Sequence, residues 1–368
     1  MNLERIELIH IRIPLVGAFR TSFGTDTVRD TFLLRVVTPG AEGWSEYGGD
    51  PDPLYSSEFS ASTEIVLREH LIPRLAALDN VTATGVSPAL KAIKGHRMAK
   101  AVLETAILDA ELRTYGMPLS TYLGSVRDRV PAGVSVGIMD SIPELLAKVA
   151  GYLAEGYVRI KLKIEPGWDV EPVRAVRAEF GDDVPLQVDA NTAYALTDAP
   201  HLRKLDEFGL LLIEQPLETD DLRGHAALAG LIGTPICLDE SISSARDAAT
   251  AIAMGACANV NIKPSRVGGY LEARRIHDVA SANGVPVWCG GMLETGVGRA
   301  ANLALAALPG FVLPGDTSAS NRYYAEDLTE PFVLERDGHV ALPTGPGIGV
   351  EVLPEVLARF TVARRVLY

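Results

Sequence analysis

The sequence predicts a parallel α/β barrel that follows an N-terminal α+β domain. Short apolar segments recur about every 25 residues in the middle of the chain, and a strand, a loop and a crossover helix together occupy about that length. Each segment ends in a charged residue before a turn; these residues are Lys163, Asp189, Glu214, Asp239 and Lys263. A closed barrel brings the ends of its strands to one mouth, whereas an open sheet spreads them along an edge, so we prefer the barrel.

The first part of the chain, 1–125, has a different pattern. The segments RIELIHIRIPL and DTFLLRVVTPGAEGWSEYG are typical of antiparallel strands joined as a meander. The segment HRMAKAVLETAILDAELRTYG indicates a long helix that stops at Gly116, with Pro118 beyond it. We therefore predict a separate α+β domain ahead of the barrel.

The barrel is predicted over 126–322. Its first strand is expected in 131–140 and its last two in 286–292 and 310–316, which gives eight strands in all. Helical patterns lie between the strands and end at glycines, as in EPVRAVRAEFG and YLEARRIHDVASANG. The remaining segment, 323–368, has hairpin and turn sequence and is expected to pack back on the first domain.

Composition excludes several classes of protein. The chain has 368 residues, of which 47% are hydrophobic, so a sizeable core can be buried. The formal net charge of −13 argues against general binding to nucleic acid or to anionic membranes. Three cysteines without a CxxC pair fit a reducing compartment. Without a signal-peptide pattern or an apolar run of about 20 residues, the protein is expected to be cytoplasmic.

Three carboxylates are predicted to converge at the barrel mouth: Asp189, Glu214 and Asp239. Without a cation they would repel one another, and all-oxygen ligation favours a hard divalent ion such as Mg²⁺ or Mn²⁺. The alternative is that each carboxylate is only solvated at the end of its strand. The regular spacing of all three favours the metal.

A lysine is expected on each side of this cluster, Lys163 one strand before it and Lys263 one strand after. Burial and a nearby cation lower the pKa of an ammonium group, so that a lysine can act as a base. Arg159 and Lys161 on the strand of Lys163 would keep the local potential positive. The alternative is that the lysines are only salt-bridge partners of the acidic residues. A hard metal between two lysines suits removal of a proton next to a carboxylate.

The motifs resemble those of the enolase superfamily, in its muconate lactonizing enzyme subgroup. The resemblance rests on KLK, DAN, EQP, DES and NIKPSRVGG, which begin at residues 161, 189, 214, 239 and 261. The segments GGMLETGVGRAANLALAALP and LPGDTSAS are similar to the N-succinylamino acid racemase / o-succinylbenzoate synthase family. The resemblance implies a modified (β/α)7β TIM-type barrel with an α+β capping domain that the C-terminal segment completes.

The resemblance also implies roles for individual residues. It makes Asp189, Glu214 and Asp239 the metal ligands and Lys163 and Lys263 the acid/base pair. Residues implied on the substrate side or around it are Lys161, Ser135, Asn191, Glu240, Phe19, Phe23, Gly291, Met292, Leu293 and Tyr323. The two phenylalanines are expected to close the pocket and to favour hydrophobic side chains, although they are nearly as easily explained as core residues of the capping domain.

The expected activity is metal-dependent racemisation of N-succinyl or N-acetyl amino acids by 1,1-proton transfer through an enediolate. The same intermediate can instead lose water, so dehydration of the menaquinone precursor to o-succinylbenzoate is a second expectation. Dipeptide epimerase, muconate cycloisomerase and a non-catalytic binding protein are the alternatives. The expected cofactor is Mg²⁺, with Mn²⁺ or Co²⁺ as substitutes, and the resemblance implies a homo-oligomer, commonly an octamer, with a small-molecule substrate.

Overall fold

The structure is a computed structural model that describes residues 1–368. It contains thirteen strands in three sheets. In chain order they are β1 (Arg5–Thr21), β2 (Gly24–Val37), β3 (Glu42–Glu46), β4 (Arg129–Pro131), β5 (Gly133–Val136), β6 (Arg159–Lys163), β7 (Leu186–Asp189), β8 (Ile213–Glu214), β9 (Ile236–Leu238), β10 (Asn259–Ile262), β11 (Val287–Cys289), β12 (His339–Ala341) and β13 (Thr361–Val366).

The α-helices flank these sheets, and no helix is both long and apolar enough to cross a bilayer. The helices are Ser60–Val66, Ile72–Ala76, Ala83–Ala89, Arg97–Thr114, Leu119–Leu123, Ile142–Glu155, Val170–Phe180, Ala199–Leu202, Leu222–Ala229, Ala245–Ala253, Pro264–Val267, Tyr270–Ala282, Gly296–Ala306 and Pro354–Phe360. A π-helical turn, Leu67–Leu71, and three 3₁₀ turns complete the regular structure; the 3₁₀ turns are Leu196–Asp198, Arg203–Phe208 and Ser320–Arg322.

The N-terminal domain is an antiparallel sheet in the order β13-β1-β2-β3, covered by the long helix Arg97–Thr114. The predicted meander and helix are therefore confirmed. The helix lies so close to β3 that a Cβ atom at Gly43 would be 2.0 Å from the backbone oxygen of Ala106. Only glycine permits this approach. Thirteen of the eighteen helix residues are buried, which explains why the helix is apolar on most sides.

Seven parallel strands form the barrel sheet in sequential order, from β5 to β11. The predicted eighth strand, 310–316, is not a strand. Single parallel bridges from Val287 to Phe311 and from Ala132 to Gly315 close the gap between β11 and β5. A physical reason is that Pro314 lacks the amide hydrogen that a continuous ladder needs. The barrel fold is confirmed, with seven regular strands and an irregular eighth segment.

The C-terminal segment returns to the N-terminal domain. Strand β13 pairs with β1 in antiparallel register, from Glu7 opposite Val366 to Ile11 opposite Thr361. Strand β12 pairs with β4 at the start of the barrel. One apolar cluster of 90 buried residues runs through both domains, so the capping sheet and the barrel share a core.

Candidate active site

The three cations of β6 are all buried inside the barrel. Arg159, Lys161 and Lys163 are 0%, 2% and 7% exposed. Side chains two residues apart in a strand share a face, so all three point inward while Ile160 and Leu162 pack against the outer helices. Such a row of cations is stable only if anions face it.

The facing anions are the three carboxylates that the strand spacing predicts. In the sheet register Lys163 lies opposite Asp189, and Asp189 lies opposite Glu214. Asp239 follows directly after β9, the next strand in the sheet. All three side chains are buried. The barrel therefore brings together the residues that are about 25 positions apart in sequence.

Buried lysines form ion pairs with these carboxylates. Lys161 Nζ lies 2.7 Å from Asp316, 3.1 Å from Glu214 and 3.3 Å from Asp189. Lys163 Nζ donates at 2.6 Å to Asp189 and also at 2.6 Å to the amide oxygen of Asn191. Asn191 in turn donates to Glu240 at 2.9 Å. Asn191, which is predicted to bind the substrate, and Glu240, which is predicted to lie behind it, thus form one chain of hydrogen bonds with Lys163.

Lys263 lies on the other side of the cluster. Its ammonium group is 2.8 Å from Asp239 and donates to the hydroxyl of Tyr55 at 3.1 Å, and it lies 4.6 Å from the centre of the Tyr55 ring. Arg266 also contacts Asp239, and its guanidinium donates to the Tyr55 hydroxyl at 3.3 Å. Tyr55 belongs to the capping domain, so both domains build this half of the site.

The two lysines have opposite electrostatic environments. Burial lowers the pKa of Lys163, and the attraction of Asp189 only partly offsets this. Burial also opposes the charge of Lys263, but its neighbours, Tyr55 and the carboxylates of Glu240, Glu214 and Asp189, together outweigh burial and raise the pKa of Lys263. Burial would raise the pKa of Asp189 as well, but Lys163 and Lys161 together lower it.

Backbone strain is concentrated at the same barrel mouth. Five non-glycine residues have positive φ, and four of them are here: Asn191, Thr192, Gln215 and Leu293. A left-handed backbone costs on the order of 1–3 kcal/mol for a residue with a Cβ atom. Such a cost is retained where the rest of the fold over-determines the geometry, most often around a functional site.

One cavity connects the lysines to the capping domain. Every residue predicted as catalytic or as substrate-binding lines it: Lys163, Lys263, Lys161, Ser135, Asn191, Phe19, Phe23, Gly291, Met292, Leu293 and Tyr323. The ring of Phe19 packs edge-on against Tyr323 at 6.2 Å, and the ring of Phe23 lies 6.0 Å from Tyr55. The hydroxyl of Ser135 donates to Asp316 at 3.3 Å.

Comparison with known proteins places this geometry in a family. Residues 5–124 match the N-terminal domain of mandelate racemase / muconate lactonizing enzymes, and residues 144–356 match the enolase C-terminal domain-like family. The chain belongs to the enolase superfamily. It is an enzyme of the mandelate racemase / muconate lactonizing enzyme group, as the motifs predict.

Three relatives show how far the similarity extends. An N-succinylamino acid racemase of an Amycolatopsis species is 65% identical over 99% of both chains. An o-succinylbenzoate synthase of Geobacillus kaustophilus is 46% identical over 98% of this chain and 96% of its own. The crystal structure of an enolase-superfamily member from Listeria innocua has a TM-score of 0.95, with 38% identity over the full length of both chains.

Enolase-superfamily sites combine a lysine or histidine base with Mg²⁺, and the donors present here suit such an ion chemically. The three carboxylates are buried on neighbouring strands, and both carboxylate oxygens of Asp239 lack a hydrogen bond of good geometry. The three carboxylate side chains do not converge on one point as metal ligands would, because they are turned toward the lysines. The residues therefore fit a divalent ion by chemistry, after reorientation of their side chains.

Sequence reasoning missed several residues of this enolase-superfamily site. Asp316 accepts from Arg159 at 2.9 Å as well as pairing with Lys161. It could have been found, since it ends the segment 310–316 as the other charged residues end their strands. Tyr55 lies in an irregular loop between β3 and the first helix, and no periodicity marks it. Arg266 is within the motif NIKPSRVGG, but its motif does not reveal that it contacts Asp239.

Proposed function

We propose that this enzyme interconverts the two enantiomers of N-succinyl amino acids and also acts on related N-acyl amino acids. Dehydration to o-succinylbenzoate is proposed as a second reaction of the same site. The observation that carries the proposal is the placement of two buried lysines on opposite sides of one carboxylate cluster. Lys163 on β6 and Lys263 after β10 are separated by three intervening strands, so a substrate between them meets a lysine on each face.

The lysines would divide the proton transfer between them. Lys163, whose pKa is lowered by burial, is suited to remove the α-proton from the enantiomer that presents it to β6. Lys263, whose pKa is raised by its neighbours despite burial, is suited to deliver a proton to the opposite face. Transfer through a planar enediolate inverts the α-carbon, and the reverse direction exchanges the two roles.

Other residues would hold the substrate. Lys161 would attract the substrate carboxylate, because it is a buried cation that lines the cavity on the same strand as Lys163. Asp189, Glu214 and Asp239 would hold a divalent metal, with Mg²⁺ as the first choice. When bound, the metal would neutralise the negative charge that develops on the substrate carboxylate.

The second reaction is favoured by a separate observation, the 46% identity to an o-succinylbenzoate synthase. Dehydration needs one lysine as the base and the other only for its charge, so the same geometry serves both reactions. A cytoplasmic location and a homo-oligomer remain predictions from the sequence.

The test is proton NMR in D₂O with Mg²⁺. The protein is incubated separately with the L and the D enantiomer of N-succinylphenylalanine, of N-succinylmethionine and of N-succinylarginine. We expect loss of the α-proton signal and of optical rotation from both enantiomers of at least one amino acid. Absence of exchange from all of them would contradict the racemase proposal. Dipeptides and cis,cis-muconate serve as the panel for the alternatives.

A further inference from the structure

We propose that the capping-domain wall of the cavity selects substrates whose amino-acid side chain ends in a cation, such as N-succinylarginine and N-succinyllysine. The inference rests on the proposed function and names the substrate class of that site. It departs from the expectation, drawn from Phe19 and Phe23, that the pocket favours hydrophobic side chains. The reason is that two carboxylates, those of Asp26 and Asp50, line the cavity beside the two phenylalanines.

The hairpin of β1 and β2 places Asp26 on this wall. Asp26 lies directly opposite Phe19 in the antiparallel register. Residues directly opposite each other share one face of the sheet, so both side chains face the cavity. Asp50 comes from the loop that follows β3 and reaches the same cavity from a second direction.

The wall keeps an excess of negative charge. Asp50 pairs with Arg29 at 3.1 Å, and the same guanidinium lies 3.7 Å from Glu46. Asp26 has no ion pair and its carboxylate has no hydrogen bond within the protein. The two carboxylates that line the cavity, Asp26 and Asp50, therefore share one neighbouring guanidinium, that of Arg29, and Glu46 does not line the cavity. Burial and the neighbouring Asp50 raise the pKa of Asp26, as expected of an anion that lacks a partner.

The charge of the substrate determines which of its groups meets this wall. The α-carboxylate belongs between the lysines, which leaves the acyl group and the amino-acid side chain to occupy the rest of the cavity. A succinyl group carries its own carboxylate, and like-charge repulsion excludes it from Asp26 and Asp50. The side chain therefore faces the capping domain.

A lysine or arginine side chain suits the composition of this wall. Its aliphatic stem can lie along Phe19 and Phe23, while its charged end reaches the two carboxylates. A guanidinium can donate two parallel hydrogen bonds to a carboxylate, which is stronger than a neutral hydrogen bond. A purely apolar side chain would instead remove water from Asp26 without replacing its hydrogen bonds, which is unfavourable.

The experiment compares kcat/KM for racemisation of N-succinylarginine, N-succinylcitrulline and N-succinylmethionine by the wild-type enzyme and by Asp26→Asn. Citrulline is the neutral isostere of arginine. Asp52→Asn is the matched control, because Asp52 is an exposed carboxylate of the same loop as Asp50 and does not line the cavity. Asp50→Asn is a second variant, whose fold is checked by circular dichroism because Asp50 pairs with Arg29.

We expect the wild-type enzyme to prefer arginine over citrulline by about tenfold or more, the effect of a hydrogen bond to a charged group. Asp26→Asn should abolish that preference, chiefly through KM, and Asp52→Asn should leave it intact. A wild-type preference for methionine or citrulline over arginine would overturn the inference and leave the racemase proposal standing. An equal loss for all three substrates in Asp26→Asn would also overturn it. Absence of exchange with every substrate would overturn both proposals.

Discussion

The two halves of the active site differ in which domain builds them. The polar contacts of Lys163, with Asp189 and Asn191, all come from the barrel. Lys263 contacts Asp239 of the barrel and also the hydroxyl and ring of Tyr55 from the capping domain. The barrel alone can therefore preorganise one acid/base group, whereas the surroundings of the other are complete only when the capping domain is docked.

Removal of the metal should affect both halves of the site equally and so hide the difference between them. We expect dialysis against a chelator to reduce α-proton exchange from both enantiomers by more than about 100-fold, since charge on the substrate carboxylate is then no longer neutralised. Addition of Mg²⁺ should restore both. Exchange is followed by NMR in D₂O, with circular dichroism to show that the fold survives. Undiminished exchange from either enantiomer after chelation would refute metal dependence.

Removal of one lysine should separate the halves. Lys163→Ala and Lys263→Ala should each reduce racemisation by about 1,000-fold, within the range of a lost general acid or base. Each variant should still exchange the α-proton of one enantiomer, and the two variants should retain opposite enantiomers. Lys204→Ala, at an exposed lysine, is the control. Full racemisation by either active-site variant would disprove the assignment of two bases.

Loss of the Tyr55 hydroxyl should impair only the half of the site around Lys263. Tyr55→Phe removes the hydrogen bonds to Lys263 and Arg266 but keeps the ring. We expect about tenfold slower exchange of the enantiomer that faces Lys263, the loss of roughly one hydrogen bond to a charged group. The enantiomer that faces Lys163 should exchange at the wild-type rate. Equal slowing of both would mean that Tyr55 acts on the whole site rather than on one half.

The docking of the capping domain should itself depend on pH. Glu46 of β3 accepts hydrogen bonds from Thr295 and Gly298 at the start of helix Gly296–Ala306, and burial raises its pKa to about 7, the attraction of Arg29 offsetting only part of this. Because the folded protein binds this proton more tightly than the unfolded chain, the stabilisation is complete below about pH 4.5 and is lost as pH rises through 7.

Denaturant unfolding from pH 5 to pH 8 measures this effect. The free energy of unfolding of the wild type should fall by up to roughly 3 kcal/mol through this group alone, and Glu46→Gln should remove that part of the pH dependence. Glu218→Gln, at an exposed side chain, should behave as the wild type does. A pH profile that is unchanged in Glu46→Gln would show that the buried carboxylate does not titrate in this range.

The sequence predicted those site residues that recur at a regular spacing along the chain. Charged residues at strand ends are visible because the strands repeat, and the barrel then brings Lys163, Asp189 and Lys263 to one mouth. The same reasoning over-predicted a regular strand at 310–316, where Pro314 interrupts the ladder. Tyr55 and Asp50 could not be predicted, because they lie in an irregular loop and reach the site only through the docking of one domain on another.

The pairing of β13 with β1 also bears on the order in which the site is assembled. The whole barrel lies between these two strands in the sequence, so their pairing closes a very long stretch of chain. Each barrel strand instead pairs with its neighbours in sequence and closes a much shorter stretch. Lys163 can therefore acquire its surroundings early in folding, whereas the half of the site that needs the capping domain depends on the slower, long-range pairing.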